Sequence, residues 1–320
     1  MWNRVLAVYT KLFAVWVVLG GVVAYVWPGA FAPLKGVNAW FFAVTMFGIG
    51  AVLRAEDFRE IALRPGLVAI GTAAEFLIMP FGAWLFAKLF GLPAEVALGL
   101  ILAGAAPAAM SSNVMNYIAR ADVAYSISLT IVVTRLCPVL TPGMTRLLAG
   151  KTMEVPFWGQ FFTIMWTVIL PVGFGFGVRQ LWRDRVERVK EVFPAISVTF
   201  IVFVCAMVIA GNRDRFTTEG GAVLLLRTLA AVAGLNVFGL VGGYLVGAVF
   251  RMNTARRRTL CIEIGMQNAG LGTMLAVHHF GERSAIAPAM FVFVCIVTAS
   301  LLAEFWRRTA GDDDSGVPGT

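Results

Sequence analysis

Charge is scarce in this sequence of 320 residues: Asp, Glu, Lys and Arg together make up 14%, whereas 59% of the residues are hydrophobic. The chain has only two histidines and four cysteines, and the spacing of the cysteines fits neither a metal site nor a disulfide framework. Short catalytic motifs are missing too, among them HExxH, a paired-Asp motif and a Ser/His pair. These absences exclude a soluble domain of this length and argue against an enzyme.

Long apolar runs make up most of the chain, and its mean hydropathy is +0.82. Runs of about 20 residues match the length of a helix that crosses a bilayer. We therefore predict an all-α membrane protein with ten transmembrane helices, the first of them a retained helix and not a cleaved signal peptide. The predicted spans are 6–27, 37–53, 66–90, 94–119, 123–149, 157–181, 192–211, 222–250, 259–280 and 284–306.

Basic residues are distributed unevenly between the predicted loops. With the N-terminus in the cytoplasm, 17 of the 26 Lys and Arg residues fall in cytoplasmic segments and 8 on the opposite side, while Arg135 lies inside a span. This bias follows the positive-inside rule, so we predict that both termini are cytoplasmic. It also accounts for the net charge of +8 without a nucleic-acid partner.

Ten spans divide into two halves of five, residues 1–153 and 154–308, followed by a predicted disordered tail at 309–320. Because five is odd, the second half must insert in the opposite orientation, which predicts an inverted repeat. Polar residues, Gly and Pro interrupt the fourth span of each half, at 104–113 and 263–272. Such matching interruptions indicate a binding site near the midplane, with half-helix N-termini facing an anion and freed carbonyls facing a cation.

Glu263 is the most informative single residue, because a carboxylate inside a spanning helix is costly and usually belongs to a site. A hard monovalent cation needs oxygen ligands, some of them anionic, so sodium is a natural partner for this carboxylate. The alternative is a buried glutamate that is hydrogen-bonded only to stabilise packing. The nearby hydroxyl and amide candidates are Ser112 and Asn113 in the fourth span and Ser126 and Thr130 in the fifth.

A second carboxylate, Glu75, lies in the third predicted span. It either ligates a second cation, carries a proton, or pairs with Arg135 of the fifth span. Arg135 itself has two candidate roles, since it either faces a substrate cavity and binds an anion or neutralises Glu75. The residues alone leave these alternatives open.

Five short segments carry a further signal: FLIMP at 76–80, SNVMNYIAR at 112–120, DVAYS at 122–126, PVLTP at 138–142 and EIGMQNAGL at 263–271. In these segments the chain resembles the bile acid:sodium symporter family, and the resemblance extends in order over nearly all predicted spans. It implies ten helices in two inverted repeats. Spans 1, 2, 6 and 7 would form a panel domain and spans 3–5 and 8–10 a core domain, in which the broken helices 4 and 9 cross. A bacterial member would be a multi-pass protein of the cell (inner) membrane.

The resemblance also implies two sodium sites at the crossing of helices 4 and 9. Relatives commonly carry Gln at the third-span position of the second site, whereas this chain has Glu75. The first site would comprise Ser112, Asn113, Ser126, Thr130 and Glu263. The second would comprise Glu75, Glu263, Gln267 and the carbonyls near Ile264 and Met266. The predicted substrate contacts are Met110, Ser111, Asn113, Asn268, Arg135 and Cys295.

These observations predict a sodium-coupled symporter that imports an organic anion by alternating access. The anion is expected to be bile-acid-like or a small carboxylate such as a pantoate-like or keto acid. The alternative is a proton-coupled or uncoupled anion carrier that uses Glu75. An intramembrane enzyme and a non-transporting sensor are less favoured. The expected partners are the lipid bilayer and the small substrate, with no nucleic acid and no obligatory protein partner.

Overall fold

The computed structural model describes residues 6, 9–10, 12–58, 63–217 and 220–309. Within these residues the chain is nearly all helical and contains no β-strand. Apart from Thr309, which ends the last helix, the predicted tail lies outside the described residues. The helices are α1 Phe13–Val26, α2 Asn38–Val52, α3 Pro65–Leu89, α4 Ala94–Ala105, α5 Ser111–Ile118, α6 Val123–Ala149, α7 Phe157–Leu181, α8 Arg183–Val189, α9 Val192–Thr217, α10 Gly221–Val249, α11 Thr254–Gly265, α12 Ala269–Phe280 and α13 Ile286–Thr309.

Six of the described helices are long and apolar enough to cross a membrane, namely α3, α6, α7, α9, α10 and α13. Shorter apolar helices occupy Val15–Val26, Asn38–Val52 and Ala94–Ala105. The bounds predicted for α6 and α7 are confirmed. The start predicted at 259 is wrong, because α11 begins at Thr254, where the Asn253 side chain accepts a hydrogen bond from the Arg256 backbone N–H and caps the helix.

Both polar segments singled out in the sequence contain a helix break. The first separates α4 from α5, where Ala106 is extended because it precedes Pro107. The second separates α11 from α12 at residues 266–268. The two breaks lie side by side as an antiparallel bridge between Ala108 and Gln267. Each break therefore satisfies backbone groups that the other leaves free, a necessity where water is excluded.

Two backbone hydrogen bonds make this bridge. The Ala109 N–H donates to the Met266 carbonyl at 2.8 Å, and the Asn268 N–H donates to the Pro107 carbonyl at 2.7 Å. They hold the start of α5 beside the start of α12, so both helix N-termini point toward one region of the molecule.

Glycine allows α10 to approach α11 closely. Gly239, Gly243 and Gly247 recur every four residues and so lie on one face of α10. A Cβ atom at Gly243 would lie 2.3 Å from the Leu260 carbonyl oxygen, a distance that no side chain tolerates. Small residues at this interface thus fix the position of α11, which carries Glu263.

The helices pack in two sets. Helices α1, α2, α7 and α9 contact one another and form what we call the four-helix group, while α3–α6 and α10–α13 form the large group. The bundle has two ends, named here after residues that mark them. At the Asp122 end, Asp122 contacts Arg256. At the Glu282 end, Arg283 pairs with Glu95 at 2.8 Å.

Candidate cation and substrate site

The carboxylate of Glu263 is fully buried near the C-terminal end of α11, next to the break. Four side chains donate to it, two from α5 and two from α6. Each pair is spaced four residues apart, which places its members on one helix face. Ser112, Ser126 and Asn116 donate to Oε1 at 2.5, 2.5 and 3.0 Å, and Thr130 donates to Oε2 at 3.1 Å.

The oxygen atoms of this cluster outnumber the protons available to them. The single hydroxyl proton of Ser126 has two acceptors, since Oδ1 of Asn113 lies 2.6 Å from its Oγ and the Glu263 carboxylate is equally close. The Thr130 hydroxyl likewise lies between Glu263 and the Ser126 carbonyl, 3.0 Å away. A group of converging oxygens with more lone pairs than protons is the set of ligands that a hard cation requires.

Asn116 belongs to this cluster and was missed by the sequence analysis. Its side-chain nitrogen donates to both Glu263 and Ser126, and its Oδ1 is buried without a hydrogen-bond partner. The signal that could have found it is its spacing of four residues from Ser112, inside the segment 112–120 that resembles the symporter family.

Glu75 of α3 lies beside the break, near Ala108 and Gln267, and is 1% exposed. Neither of its carboxylate oxygens accepts a hydrogen bond, and Oε1 of Gln267 is also buried without a partner. The Gln267 side chain and the Ala108 backbone face Glu75 without forming a hydrogen bond of good geometry, and Glu263 is close enough to repel it. Buried polar groups of this kind are costly unless something pairs with them.

The arrangement around Glu75 therefore fits a second cation. Three buried oxygens beside the break have no hydrogen-bond partner, two from Glu75 and one from Gln267. The Gln267 side-chain nitrogen donates to the Ile264 carbonyl at 3.0 Å. Of the carbonyls expected nearby, that of Met266 already accepts the Ala109 N–H.

The hypothesis that Arg135 pairs with Glu75 is wrong. Arg135 is exposed, whereas Glu75 is buried and neither of its oxygens has a hydrogen-bond partner. The helical register explains the separation. Arg135 follows Thr130 by five residues on α6, which rotates it by about 140° from the face that carries the cluster.

A cavity of about 510 Å³ lies beside the break, between the four-helix group and the large group. Its lining is mostly apolar, and none of the described residues that line it is Lys or Arg. Arg135, predicted as a substrate contact, does not line the cavity. The other five predicted contacts do: Met110, Ser111, Asn113, Asn268 and Cys295.

Two helix N-termini meet this cavity. α5 begins at Ser111, and α12 begins at Ala269 after Asn268, whose Oδ1 accepts the Leu271 N–H at 3.1 Å. Helix N-termini carry partial positive charge and free N–H groups, and therefore favour anions. Because none of the described lining residues is basic, these dipoles and any bound cation supply positive potential for a ligand.

The chain is similar to a family of sodium symporters and to several sodium-dependent transporters. The profile of the Sodium Bile acid symporter family matches residues 39–219. The uncharacterized sodium-dependent transporter YocS of Bacillus subtilis (strain 168) is 33% identical over 306 residues, which cover 96% of this chain and 94% of that protein. The probable sodium/metabolite cotransporter BASS1, chloroplastic, of Arabidopsis thaliana is 33% identical over 302 residues, covering 93% and 74%. The rice BASS2 protein (Oryza sativa subsp. japonica), of the same description, is 31% identical over 309 residues, covering 96% and 73%.

Proposed function

Because this chain belongs to the sodium bile acid symporter family, we propose that it imports an organic anion together with sodium by alternating access. The family consists of sodium-dependent membrane transporters and not of enzymes. The observation that carries the proposal is the oxygen cluster around Glu263, which lies at the meeting point of two helix breaks and beside a cavity.

We assign two sodium sites to the two sides of Glu263. The first draws its support from the oxygens that converge around Glu263, where the hydroxyl protons of Ser126 and Thr130 each have more than one acceptor. The second draws its support from the unpaired oxygens of Glu75 and Gln267. The first site comprises Ser112, Asn113, Ser126, Thr130 and Glu263, and Asn116 orients its carboxylate. The second comprises Glu75, Glu263, Gln267 and the carbonyls near Ile264 and Met266.

The packing supports a division into two moving parts. In this proposal the four-helix group is the panel and the large group is the core, while residues 1–153 and 154–308 are the inverted repeats. The Asp122 end faces the cytoplasm, because the predicted loops on that side carry the basic excess. The protein then resides in a bacterial inner membrane with both termini in the cytoplasm.

The cavity suggests how the anion is held. Its acidic group would face the N-termini of α5 and α12 together with Asn113 and Asn268, while an apolar body would contact the lining. Bile-acid-like molecules and small carboxylates such as pantoate-like or keto acids all carry an acidic group, and they differ in the size of the apolar body that would contact the lining. Sodium neutralises the buried carboxylates of Glu75 and Glu263 next to the cavity, so its binding raises the affinity for the anion. By reciprocity, the bound anion raises the affinity for sodium.

A thermal-shift screen of organic anions with and without sodium tests the proposal, because a ligand that binds only the native protein stabilises it. We expect an anion that raises the melting temperature in sodium chloride and does so weakly or not at all in choline chloride. The same anion should accumulate in proteoliposomes only under an inward sodium gradient. Uptake that ignores sodium would contradict the proposal.

The unpaired oxygens of Glu75 favour a second candidate, a proton-coupled or uncoupled carrier. In that case uptake persists without sodium, depends on a pH gradient or on the anion gradient alone, and is lost in Glu75→Ala. Uptake measured in crossed sodium and pH gradients separates the candidates, since only the sodium symporter follows the sodium gradient at constant pH.

A further inference from the structure

The contacts between the four-helix group and the large group are unequal at the two ends of the bundle. In the described part of the chain, two side-chain hydrogen bonds join the groups, and both lie at the Glu282 end. Toward the Asp122 end the cavity separates the groups, with Val52 and Phe193 in its lining. The structure is therefore closed at one end by specific contacts.

Asn212 makes the first of these hydrogen bonds. It lies fully buried on α9, and its Nδ2 donates to the Glu282 carbonyl at 2.9 Å as well as to the Val208 carbonyl of its own helix. Gly211 permits this approach, because a Cβ atom there would lie 2.0 Å from the Glu282 carboxylate. The Glu282 segment thus rests directly on α9.

Thr163 of α7 makes the second. Its hydroxyl shares a hydrogen bond of 3.0 Å with Nε2 of His279, near the end of α12. Gly159, one turn earlier on α7, also faces the His279 ring, since a Cβ atom there would be 3.4 Å from it, an ordinary van der Waals distance. Asn212, Glu282, Thr163 and His279 are called the latch below.

An aromatic pair lies between the latch and the cavity. Phe42 of α2 and Phe200 of α9 are each 1% exposed, and their ring centroids are 5.1 Å apart. Both rings lie within contact distance of a Cβ atom built on Gly270, in the first turn of α12. Asn38, one turn before Phe42, already lines the separate pocket at the Glu282 end. The pair consequently closes the cavity on that side.

Helix α12 connects the binding region with the latch. Its first turn follows Gln267 and Asn268, and its last turn carries His279, followed by Glu282. Its 12 residues span about 18 Å. A shift of α12 when sodium or substrate binds near Asn268 would therefore reach the two latch hydrogen bonds through one rigid element.

We propose that the latch holds the transporter closed at the Glu282 end, and that α12 transmits occupancy of the binding region to it. This inference rests on the proposed alternating access. Loss of either latch hydrogen bond shifts the equilibrium toward a conformation open at the Glu282 end. A neutral hydrogen bond has a net value that corresponds to a shift of about fivefold in such an equilibrium.

Cysteine accessibility measures this shift. A Ser197→Cys reporter lies in the cavity lining on α9. The native cysteines are buried in this conformation, but Cys295 lines the same cavity, so the labelling of each variant without the reporter is subtracted as background. A membrane-impermeant maleimide is added from the Glu282 side of oriented membranes. We expect labelling to rise about fivefold in Asn212→Leu and in Thr163→Val, and more in the double variant.

Thr228→Val is the matched control, because the buried Thr228 hydroxyl bonds only the Leu224 carbonyl of its own helix among the described residues. Its labelling should equal that of the parent. Unchanged labelling in folded Thr163→Val and Asn212→Leu overturns the proposal, and so does an equal rise in Thr228→Val. If Asn212→Leu does not fold, Thr163→Val alone decides.

Sodium-driven uptake by the parent protein is measured in the same membranes. Uptake that ignores sodium while the latch variants still change labelling refutes the symport and leaves the latch intact. Normal sodium-driven uptake with unchanged labelling refutes the latch alone.

Discussion

Glu263 and Glu75 are both buried carboxylates beside the same pair of helix breaks, yet their surroundings differ completely. Glu263 receives four donors from two helices, whereas Glu75 receives none. The protein thus stabilises the negative charge of Glu263 with its own hydrogen bonds, whereas the charge of Glu75 has to be neutralised by a bound cation or a proton. A satisfied polar group stiffens the fold, while an unsatisfied one makes the fold dependent on what binds it.

The largest expected effect is from Glu263→Ala, which removes the carboxylate shared by both proposed sodium sites. Sodium at about 100 times its dissociation constant stabilises a protein by about 2.7 kcal/mol for one site, and this stabilisation should disappear. Melting temperature against sodium concentration measures it. Glu154→Gln, at an exposed loop residue, is the control and should keep the full response. An unchanged sodium titration in Glu263→Ala would refute the assignment.

Glu75→Gln should act in the opposite direction when sodium is absent. It removes a buried carboxylate that has no donor, so the free energy of unfolding should rise by about 1–3 kcal/mol. With sodium present the gain should shrink, because the variant loses one charged ligand of the second site. Melting temperatures in sodium and in choline give both quantities. A lower melting temperature in choline would show that Glu75 is already stabilised by the protein.

Thr130→Val, in the hydrogen-bonded cluster around Glu263, should have a smaller effect. It removes one hydroxyl oxygen from the proposed ligands of the first site and should weaken sodium binding about tenfold, since the interaction of a hydroxyl with a charge contributes about 1.5 kcal/mol. Thr145→Val is matched to it on the same helix, because the Thr145 hydroxyl bonds the Thr141 carbonyl. Equal sodium affinity in the two variants would exclude Thr130 as a ligand.

Arg135→Ala should have the smallest effect. The side chain is exposed and lies outside the cavity lining, so uptake of any substrate should change by less than about twofold. Initial rates in proteoliposomes, normalised to the amount of inserted protein, measure this. A loss of most activity would bring Arg135 back as a substrate contact in a conformation other than this one.

Much of the helical structure was predictable from the sequence because apolar length sets it. The bounds of α6 and α7 follow from the apolar runs, and both helix breaks fall in the segments that polar residues, Gly and Pro had marked. The start of α11 was not predicted, since its first turns are basic and only the Asn253 cap reveals them.

The site was predictable as far as residue chemistry reached. Hydroxyl partners for Glu263 were predicted because a buried carboxylate needs hydrogen-bond donors or cations. Ser112, Ser126 and Thr130 do donate to it. Asn116 and Arg135 show the limit. Predicting their positions requires the rotation of a helix about its axis relative to residues far along the chain. That rotation places Asn116 inside the cluster and Arg135 outside it.

The antiparallel bridge at the breaks can form only late in biosynthesis. The carbonyl of Pro107 has no partner until the N–H of Asn268, about 160 residues further along the chain, has been synthesised. A ribosome that adds about 5–20 residues per second needs roughly 10–30 s to reach it. During that interval the first half enters the membrane with an open break, which only water, lipid headgroups or the translocation machinery can satisfy. The site is thus completed late in synthesis, although half of its residues are among the early ones to be made.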